Sequence, residues 1–130
     1  MFKKNITPRA SETNLSGHIG HFAIPVWFED GYTEIFKLFN EDLAKPCLVT
    51  ANLNMDFLHE MFFGKDVEIM TSIDRIGTSS FNVHQEVHQD GKRCVQGSTT
   101  FVYFDYSTHK PAPIPQPVYA MLKEHMSVSS

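Results

Sequence analysis

The segment from Glu12 to Tyr32, ETNLSGHIGHFAIPVWFEDGY, concentrates the residue types that can do chemistry in this chain. It begins with polar side chains, passes two glycines and two histidines, and then turns apolar where Pro25 favours the first turn of a helix. A polar loop that feeds a buried helix commonly aims backbone NH groups at a ligand. Either histidine, His18 or His21, can accept or donate a proton near neutral pH. We therefore predict that this segment holds the functional site.

One long helix is predicted directly after this loop. From Phe22 to Asn40, apolar residues recur at three- and four-residue intervals, which is the pattern of one helical face. The stripe consists of Trp27, Phe28, Tyr32, Ile35, Phe36, Leu38 and Phe39. Gly31 lies in the middle of this helix, where glycine costs about 1 kcal/mol relative to alanine. A helix keeps such a glycine when something packs closely against it.

The rest of the chain predicts strands. An edge strand is expected within Met1–Ser11, and residues 40–46 are expected to form a connector. Period-two alternation predicts a half-buried strand over Cys47–Phe57 and further strands at Val67–Ile73, Phe81–His88 and Arg93–Tyr106. Asp90-Gly91 predicts a two-residue hairpin, four prolines interrupt His109–Pro117, and a short helix is expected at Val118–Met126. This order indicates a single α+β domain over residues 1–130.

Composition narrows the function classes. The 130 residues carry a formal net charge of -4 without a long basic run, which argues against a nucleic-acid partner. Cys47 and Cys94 lie far apart and outside any metal-ligand spacing, so neither a zinc site nor a disulfide scaffold is expected. No apolar run approaches the roughly 20 residues of a membrane span, and the amino terminus lacks a signal-peptide core. A soluble, cytoplasmic protein without membrane contact is expected.

Two histidine motifs point away from metal binding. His84 and His88 have HxxxH spacing, but four residues of a strand span roughly 13 Å, so the two rings should not share one ion. We interpret them as exposed strand residues. Leu58-His59-Glu60-Met61 begins like a zinc-protease motif, yet Phe63 stands where the second histidine would be.

The motifs of the site segment resemble those of the hotdog-fold acyl-CoA thioesterases of the 4-hydroxybenzoyl-CoA thioesterase type. Their signature runs roughly T-D-x-x-G-x-V, then an aromatic or histidine pair and W-F-E. It stands here as Thr13-Asn14-Leu15-Ser16-Gly17-His18-Ile19-Gly20-His21, followed by Trp27-Phe28-Glu29. The likeness continues through Gly64-Lys65-Asp66-Val67, the segment 75–81, Asp90-Gly91-Lys92, Phe104-Asp105 and the segment 110–115, and so covers nearly the whole chain.

This resemblance implies a hotdog fold, in which an antiparallel sheet wraps around one long central helix. It implies an acyl-CoA substrate, with coenzyme A bound as part of that substrate and no separate cofactor or metal. It also implies a homodimer or a dimer of dimers, in which two sheets join edge to edge and each active site is shared between subunits.

The resemblance implies a catalytic aspartate at the position of Asn14. An amide cannot take a proton at neutral pH, so Asn14 can orient a water but cannot act as the base. Candidates for that role are Glu12, His21, His18, Glu29 and a carboxylate from the partner subunit. The resemblance further implies that the backbone NH near His21 binds the oxyanion at the start of the helix. The implied contacts to the CoA nucleotide are Thr78, Ser79 and Ser80.

Three functions follow from these residues. Hydrolysis of an acyl-CoA thioester is the main prediction. Because Asn14 replaces the expected acid, a non-hydrolytic acyl-CoA binding protein is the alternative. A hotdog dehydratase is the third hypothesis, because His21 and Glu29 are of the same residue types as the histidine and glutamate that such enzymes use.

Overall fold

The computed structural model describes residues 1–14, 17–39 and 47–126. The predicted connector at 40–46 lies outside these ranges. The strands are β1 (Phe2–Ile6), β2 (Leu48–Phe57), β3 (Val67–Ile76), β4 (Ser80–Gln89), β5 (Lys92–Asp105) and β6 (Lys110–Pro111). The helices are α1 (Ile24–Phe39) and α2 (Gln116–Glu124), and single 3-10 turns occur at Ala10–Glu12 and His21–Ala23. None of the described helices is long and apolar enough to cross a membrane.

All described strand pairs are antiparallel. The order across the sheet is β1-β3-β4-β5-β2, and the short β6 pairs with β5. The strands β1 and β2 are therefore the two edges. The predicted hairpin between β4 and β5 is confirmed, because Asp90 and Gly91 both have positive φ, at 55° and 73°.

The core lies between α1 and one face of the sheet. The predicted helical stripe is confirmed by Trp27, Phe28 and Ile35, each of which is at most 1% exposed. Opposite them, alternate residues of the inner strands are equally buried: Ile69, Ile73, Phe81, Val83, Val87, Val95 and Phe101. Each fully buried side chain of this kind contributes roughly 1.5–3 kcal/mol. Packing against the sheet, more than helix propensity, thus holds α1 in place.

Gly31 lies where α1 packs closely against polar side chains of the sheet. The Gln85 side chain donates from Nε2 to the Phe28 carbonyl at 3.0 Å and to Thr71 Oγ1 at 3.1 Å. A Cβ at Gly31 would meet Gln85 Nε2 and would lie 2.7 Å from Thr71 Oγ1. The close packing that the sequence predicted at Gly31 is therefore confirmed.

We expect Gly31→Ala to lower the free energy of unfolding by about 1–2 kcal/mol. Alanine gains about 1 kcal/mol in helix propensity, but the added methyl group displaces the buried Gln85 amide and its two hydrogen bonds. Urea denaturation checks this, with Glu34→Ala on the exposed face of α1 as the control. A stabilised Gly31→Ala protein would show that the Gln85 contact is unimportant.

The edge strand β2 is more exposed than its alternation predicted. Leu53 and Phe57 are 39% and 53% exposed, and the expectation of a half-buried strand is wrong for most of its length. A bulge between Thr50 and Asn52 shifts the register, so Val49 lies opposite Val102 while Leu53 lies opposite the inward-facing Thr99. The apolar side chains of β2 therefore lie on both faces of the sheet and do not form one apolar face.

The carboxyl-terminal helix also differs slightly from its prediction. It runs from Gln116 to Glu124, two residues earlier than expected, and Pro117 lies in its first turn. The chain then returns to β3, where the Ile73 NH donates to the His125 carbonyl at 3.0 Å. This contact fixes α2 at one end of the sheet.

Candidate active site

Two parts of the predicted site segment, residues 13–14 and 17–19, pair with each other in antiparallel fashion, and we call them the site hairpin. The Asn14 NH donates to the His18 carbonyl at 2.8 Å, and the Gly17 NH donates to the Asn14 carbonyl at 3.3 Å. Gly17 has a φ of 79°, a conformation that glycine adopts without strain. Residues 15 and 16 lie outside the described part of the chain.

The site hairpin is attached to the β2–β3 connection, residues 58–66. The Ile19 NH donates to the Met61 carbonyl at 2.8 Å, and the Phe63 NH donates to the Gly17 carbonyl at 3.2 Å. Segments that are more than 40 positions apart in the sequence thus form one small antiparallel ladder. Side chains of the connection are thereby carried to the start of α1.

Glu12 is a buried anchor of this region. Its side chain is 9% exposed, and its two carboxylate oxygens accept hydrogen bonds from the Arg9 NH and from Trp27 Nε1, both at 2.7 Å. Trp27 itself is 1% exposed. The geometry therefore favours a structural role for Glu12, which ties the entry of the site segment to α1.

His21 lies where the site segment enters the helix. It opens the 3-10 turn His21–Ala23 that leads directly into α1, and the preceding Gly20 has no side chain to cap the turn. The first NH groups of a helix lack partners within the helix. The Ala23 and Ile24 NH groups already donate to the carbonyls of Gly20 and His21, and Pro25 has no NH. We therefore expect the donors of the oxyanion site to be the His21 and Phe22 NH groups at the start of the 3-10 turn.

A cavity of about 240 Å³ lies beside this helix start. Its walls come from the site segment and from the end of β2 with the following connection: Ile19, His21, Ile24, Phe57, Leu58, His59, Glu60 and Met61. The apolar majority suits an acyl group, while His21, His59 and Glu60 are groups that transfer protons or form hydrogen bonds. This cavity is the candidate active site.

Two side chains beside the cavity approach each other across the hairpin and the connection. His18 Nδ1 lies 3.6 Å from Glu60 Oε1, and the His18 ring packs edge-on against Phe62 with the ring centroids 4.9 Å apart. The connection backbone is clamped by Gln89, whose side chain bonds both the NH and the carbonyl of Phe62 at 2.9 and 2.8 Å. His18 and Glu60 are thus held on a fixed scaffold.

The other predicted catalytic residues do not line the cavity. Asn14 is exposed on the site hairpin, adjacent through its backbone to His18. Glu29 is exposed on α1, two turns beyond His21, and its charge acts on the nearby Tyr32. Burial, with a smaller effect of Glu29, raises the pKa of Tyr32 to about 12 although Thr99 hydrogen-bonds its hydroxyl.

The sequence did not single out His59 and Glu60 for this site. The only motif that contained them was a zinc-protease fragment, which the sequence argued against. The sequence does carry one signal for these residues, because the period-two alternation of β2 stops at Leu58-His59-Glu60-Met61, shortly before the turn at Gly64. This signal does not show that the β2–β3 connection pairs with the site hairpin.

The cysteines provide no activated nucleophile. Burial raises the pKa of both Cys47 and Cys94, which leaves their thiols protonated at neutral pH. The Cys94 carbonyl accepts the Leu58 and His59 NH groups at 2.8 and 3.1 Å. Cys94 therefore supports the cavity wall through its backbone.

The predicted nucleotide contacts, Thr78 to Ser80, form the turn between β3 and β4. The carbonyls of Thr78, Ser79 and Ser80 accept NH groups of the protein at 2.7–2.9 Å, which fixes the turn. Beside it lies a small, polar cavity of about 220 Å³ that Arg75 and Asn82 also line. Arg75 gives this cavity a positive charge, which the hydroxyl groups of Thr78, Ser79 and Ser80 do not provide.

Within one chain this turn and the candidate active site lie at opposite ends of the sheet. The turn begins β4, whereas Gln89 at the end of β4 holds the connection that lines the cavity. A ten-residue strand separates them by roughly 30 Å. The structure therefore does not bring Thr78, Ser79 and Ser80 together with His21 in a single subunit.

His84 and His88 are joined by a carboxylate, and the expectation that they are exposed is wrong. Glu86 accepts hydrogen bonds from His84 Nε2 at 2.9 Å and from His88 Nε2 at 2.8 Å, and all three side chains are 22–35% exposed. Alternation along β4 puts the intervening Glu86 on the same face. Within the described ranges, no group of three or more His, Cys, Asp or Glu side chains is placed to hold a metal ion.

We expect Glu86→Gln to destabilise the protein more at neutral than at acidic pH. Partial burial opposes ionisation of Glu86, but hydrogen bonds from His88 and His84 and the charge of Arg93 hold its pKa below the usual 4.5. A carboxyl group whose pKa is lowered by folding contributes its full stabilisation at pH values above its unfolded-state pKa. That contribution is lost as the pH falls through its folded-state pKa. The cost should be about 1 kcal/mol at pH 7 and shrink below roughly pH 4. Urea unfolding at both pH values measures it, and an unchanged cost contradicts the ion-pair account.

Comparison with known proteins identifies the family. The sequence profile of the thioesterase-like superfamily matches residues 8–122. The chain belongs to the thioesterase-like superfamily. A predicted thioesterase from Bacillus stearothermophilus is 40% identical, covers 99% of this chain and 98% of its own, and superposes with a TM-score of 0.95.

Two further proteins are similar at lower identity. A thioesterase from Thermus thermophilus, complexed with coenzyme A and Zn, is 19% identical over 93% of this chain and 96% of its own, with a TM-score of 0.85. The uncharacterized protein YsmA of Bacillus subtilis (strain 168) is 24% identical over 78% of this chain and 71% of its own. These matches confirm the hotdog fold of a thioesterase-superfamily protein, while the 4-hydroxybenzoyl-CoA thioesterase subtype stays a prediction.

Proposed function

We propose that this protein is an acyl-CoA thioesterase, which hydrolyses the thioester and releases a carboxylic acid and coenzyme A. The observation that carries the proposal is the mostly apolar cavity beside the start of α1, which combines His21 with the NH groups that open the 3-10 turn. Membership of the thioesterase-like superfamily supports the same reaction, and the related T. thermophilus thioesterase is complexed with coenzyme A. Coenzyme A enters here as part of the substrate.

The proposed chemistry uses each part of the cavity. The acyl group lies against the apolar wall, and its carbonyl oxygen faces the NH groups of His21 and Phe22 at the start of the 3-10 turn. His21 lines the cavity and holds the attacking water by a hydrogen bond, whereas Asn14 acts from the adjoining site hairpin, outside the cavity lining. Water adds to the carbonyl carbon, the C–S bond breaks, and the thiol leaves with a proton from the base. Asn14 cannot be that base, and both oxygens of Glu12 already accept hydrogen bonds.

The proposed site is completed by a second copy of the chain. The exposed edge β2 offers unpaired backbone groups and apolar side chains, so two copies can pair β2 against β2 in antiparallel fashion. In that arrangement the Leu48 end of one β2 lies beside the Phe57 end of the other. The Thr78–Ser80 turn of the second copy then lies at the same end of the joined sheet as the cavity, which allows it to contact the CoA nucleotide.

A thiol-release assay tests the function. We expect the native protein to release coenzyme A from at least one of acetyl-, octanoyl-, palmitoyl- and benzoyl-CoA. We expect Asn14→Asp to raise kcat, because it restores the carboxylate that the resemblance implies at this position, and Asn14→Ala to lower it by about tenfold. Equal rates in all three proteins would show that the Asn14 side chain has no part in the reaction.

A non-hydrolytic acyl-CoA binding protein is the second candidate, which the amide at Asn14 favours. Absence of thiol release from all four substrates, with acyl-CoA binding retained in calorimetry, would establish it. Hydration of an enoyl-CoA without thiol release would instead indicate a dehydratase.

A further inference from the structure

Glu60 is the one carboxylate among the residues described as lining the candidate active site. It stands on the β2–β3 connection, its side chain is 67% exposed, and Oε1 lies 3.6 Å from His18 Nδ1. The site hairpin that carries Asn14 pairs directly with this connection. A carboxylate is therefore present on the connection that pairs with the site hairpin, on a different element from Asn14, where the resemblance implies an aspartate.

The surroundings of Glu60 suit a working carboxylate better than those of the other acidic candidates. Glu12 is buried with both oxygens bonded, and Glu29 is exposed on α1 and is not among the residues that line the cavity. The Gln89 side chain clamps the backbone two residues after Glu60, which limits its movement. Fixed geometry of this kind is what a proton-transfer group requires.

We infer that Glu60 is the general base of this site and that His18 positions it. This role rests on the proposed thioesterase function. The Glu60 carboxylate takes a proton from a water as the water oxygen forms a bond to the thioester carbon. When the C–S bond breaks, Glu60 returns that proton to the leaving thiolate, so the products are the carboxylic acid and free coenzyme A. Relocation of the acid explains how a thioesterase can function with an amide at Asn14.

The test measures kcat and KM on the best of the four acyl-CoA substrates for three variants. We expect Glu60→Gln to lower kcat by about a hundredfold with little change in KM, because the base acts only in the transition state. We expect the fall of kcat/KM at acidic pH to change in Glu60→Gln, since the ionising group is gone. Glu34→Gln, which removes a similarly exposed glutamate on α1, should change neither.

The decisive variant is Glu60→Gln combined with Asn14→Asp. It moves the carboxylate to the position where the resemblance implies one, so we expect it to restore most of the lost kcat. A Glu60→Gln protein that keeps its kcat, or that loses only affinity or thermal stability, overturns the role of Glu60 while the thioesterase function stands. A native protein that releases no thiol from any substrate overturns the proposed function itself, and the base role with it.

Discussion

In the proposed β2–β2 dimer, Leu53→Asp should separate the two copies into monomers and lower the proposed thioester hydrolysis by roughly a hundredfold. Leu53 stands at the middle of β2, where an antiparallel pair of β2 strands places the two copies of the residue next to each other. Two aspartates facing each other across that pair repel, and apolar contact is lost. The monomer should stay folded because Leu53 is 39% exposed and contributes little to the core. Light scattering gives the mass, and the thiol-release assay gives the rate.

The opposite edge of the sheet provides the matched control for this variant. Lys3→Asp changes an exposed residue of β1 and should alter neither the mass nor the rate. A Leu53→Asp protein that is monomeric yet fully active would show that each subunit holds a complete site. The Thr78–Ser80 turn would then have no part in binding the nucleotide.

Glu12→Ala should lower the free energy of unfolding by about 3 kcal/mol and the melting temperature by roughly 10 °C. The change leaves the buried Trp27 indole NH and the Arg9 NH without their acceptor. Glu12→Gln keeps the shape but offers only one acceptor oxygen, so we expect a loss of about 1–2 kcal/mol. Calorimetry and urea denaturation measure both.

A double-mutant cycle separates the structural role of Glu12 from a catalytic one. Trp27→Phe removes the indole donor, so the cost of Glu12→Ala should be smaller in that background. The kcat of folded Glu12→Gln should stay within a few fold of the native value. A loss of kcat by orders of magnitude at unchanged melting temperature would instead make Glu12 the base.

Local patterns were sufficient to predict most of the fold. The three- and four-residue spacing placed α1, and period two placed the inner strands β3 and β4, because those faces are buried and leave a regular apolar signal. Asp90-Gly91 predicted its hairpin because few residues adopt positive φ at both turn positions. The same reasoning failed for the burial of β2, since alternation does not reveal whether anything covers the apolar face.

Individual residue roles were less accessible to the sequence. Glu12, two residues before Asn14, was a candidate base by proximity along the chain, yet its side chain turns inward to Trp27. His84 and His88 looked like independent surface residues, because the sequence does not show that Glu86 between them accepts a bond from each. Such hydrogen bonds depend on side-chain direction and burial, which a linear pattern does not contain.

The sequence by itself determined the α+β class, the long central helix and the presence of an amide, not an acid, at Asn14. Only the tertiary structure decided which side chains share the cavity. Pairing of the site hairpin with the β2–β3 connection brings Glu60 to His18, although these residues are 42 positions apart. The physical reason is that helical and strand periodicity reports local burial, whereas the neighbours of a carboxylate are set by long-range backbone pairing.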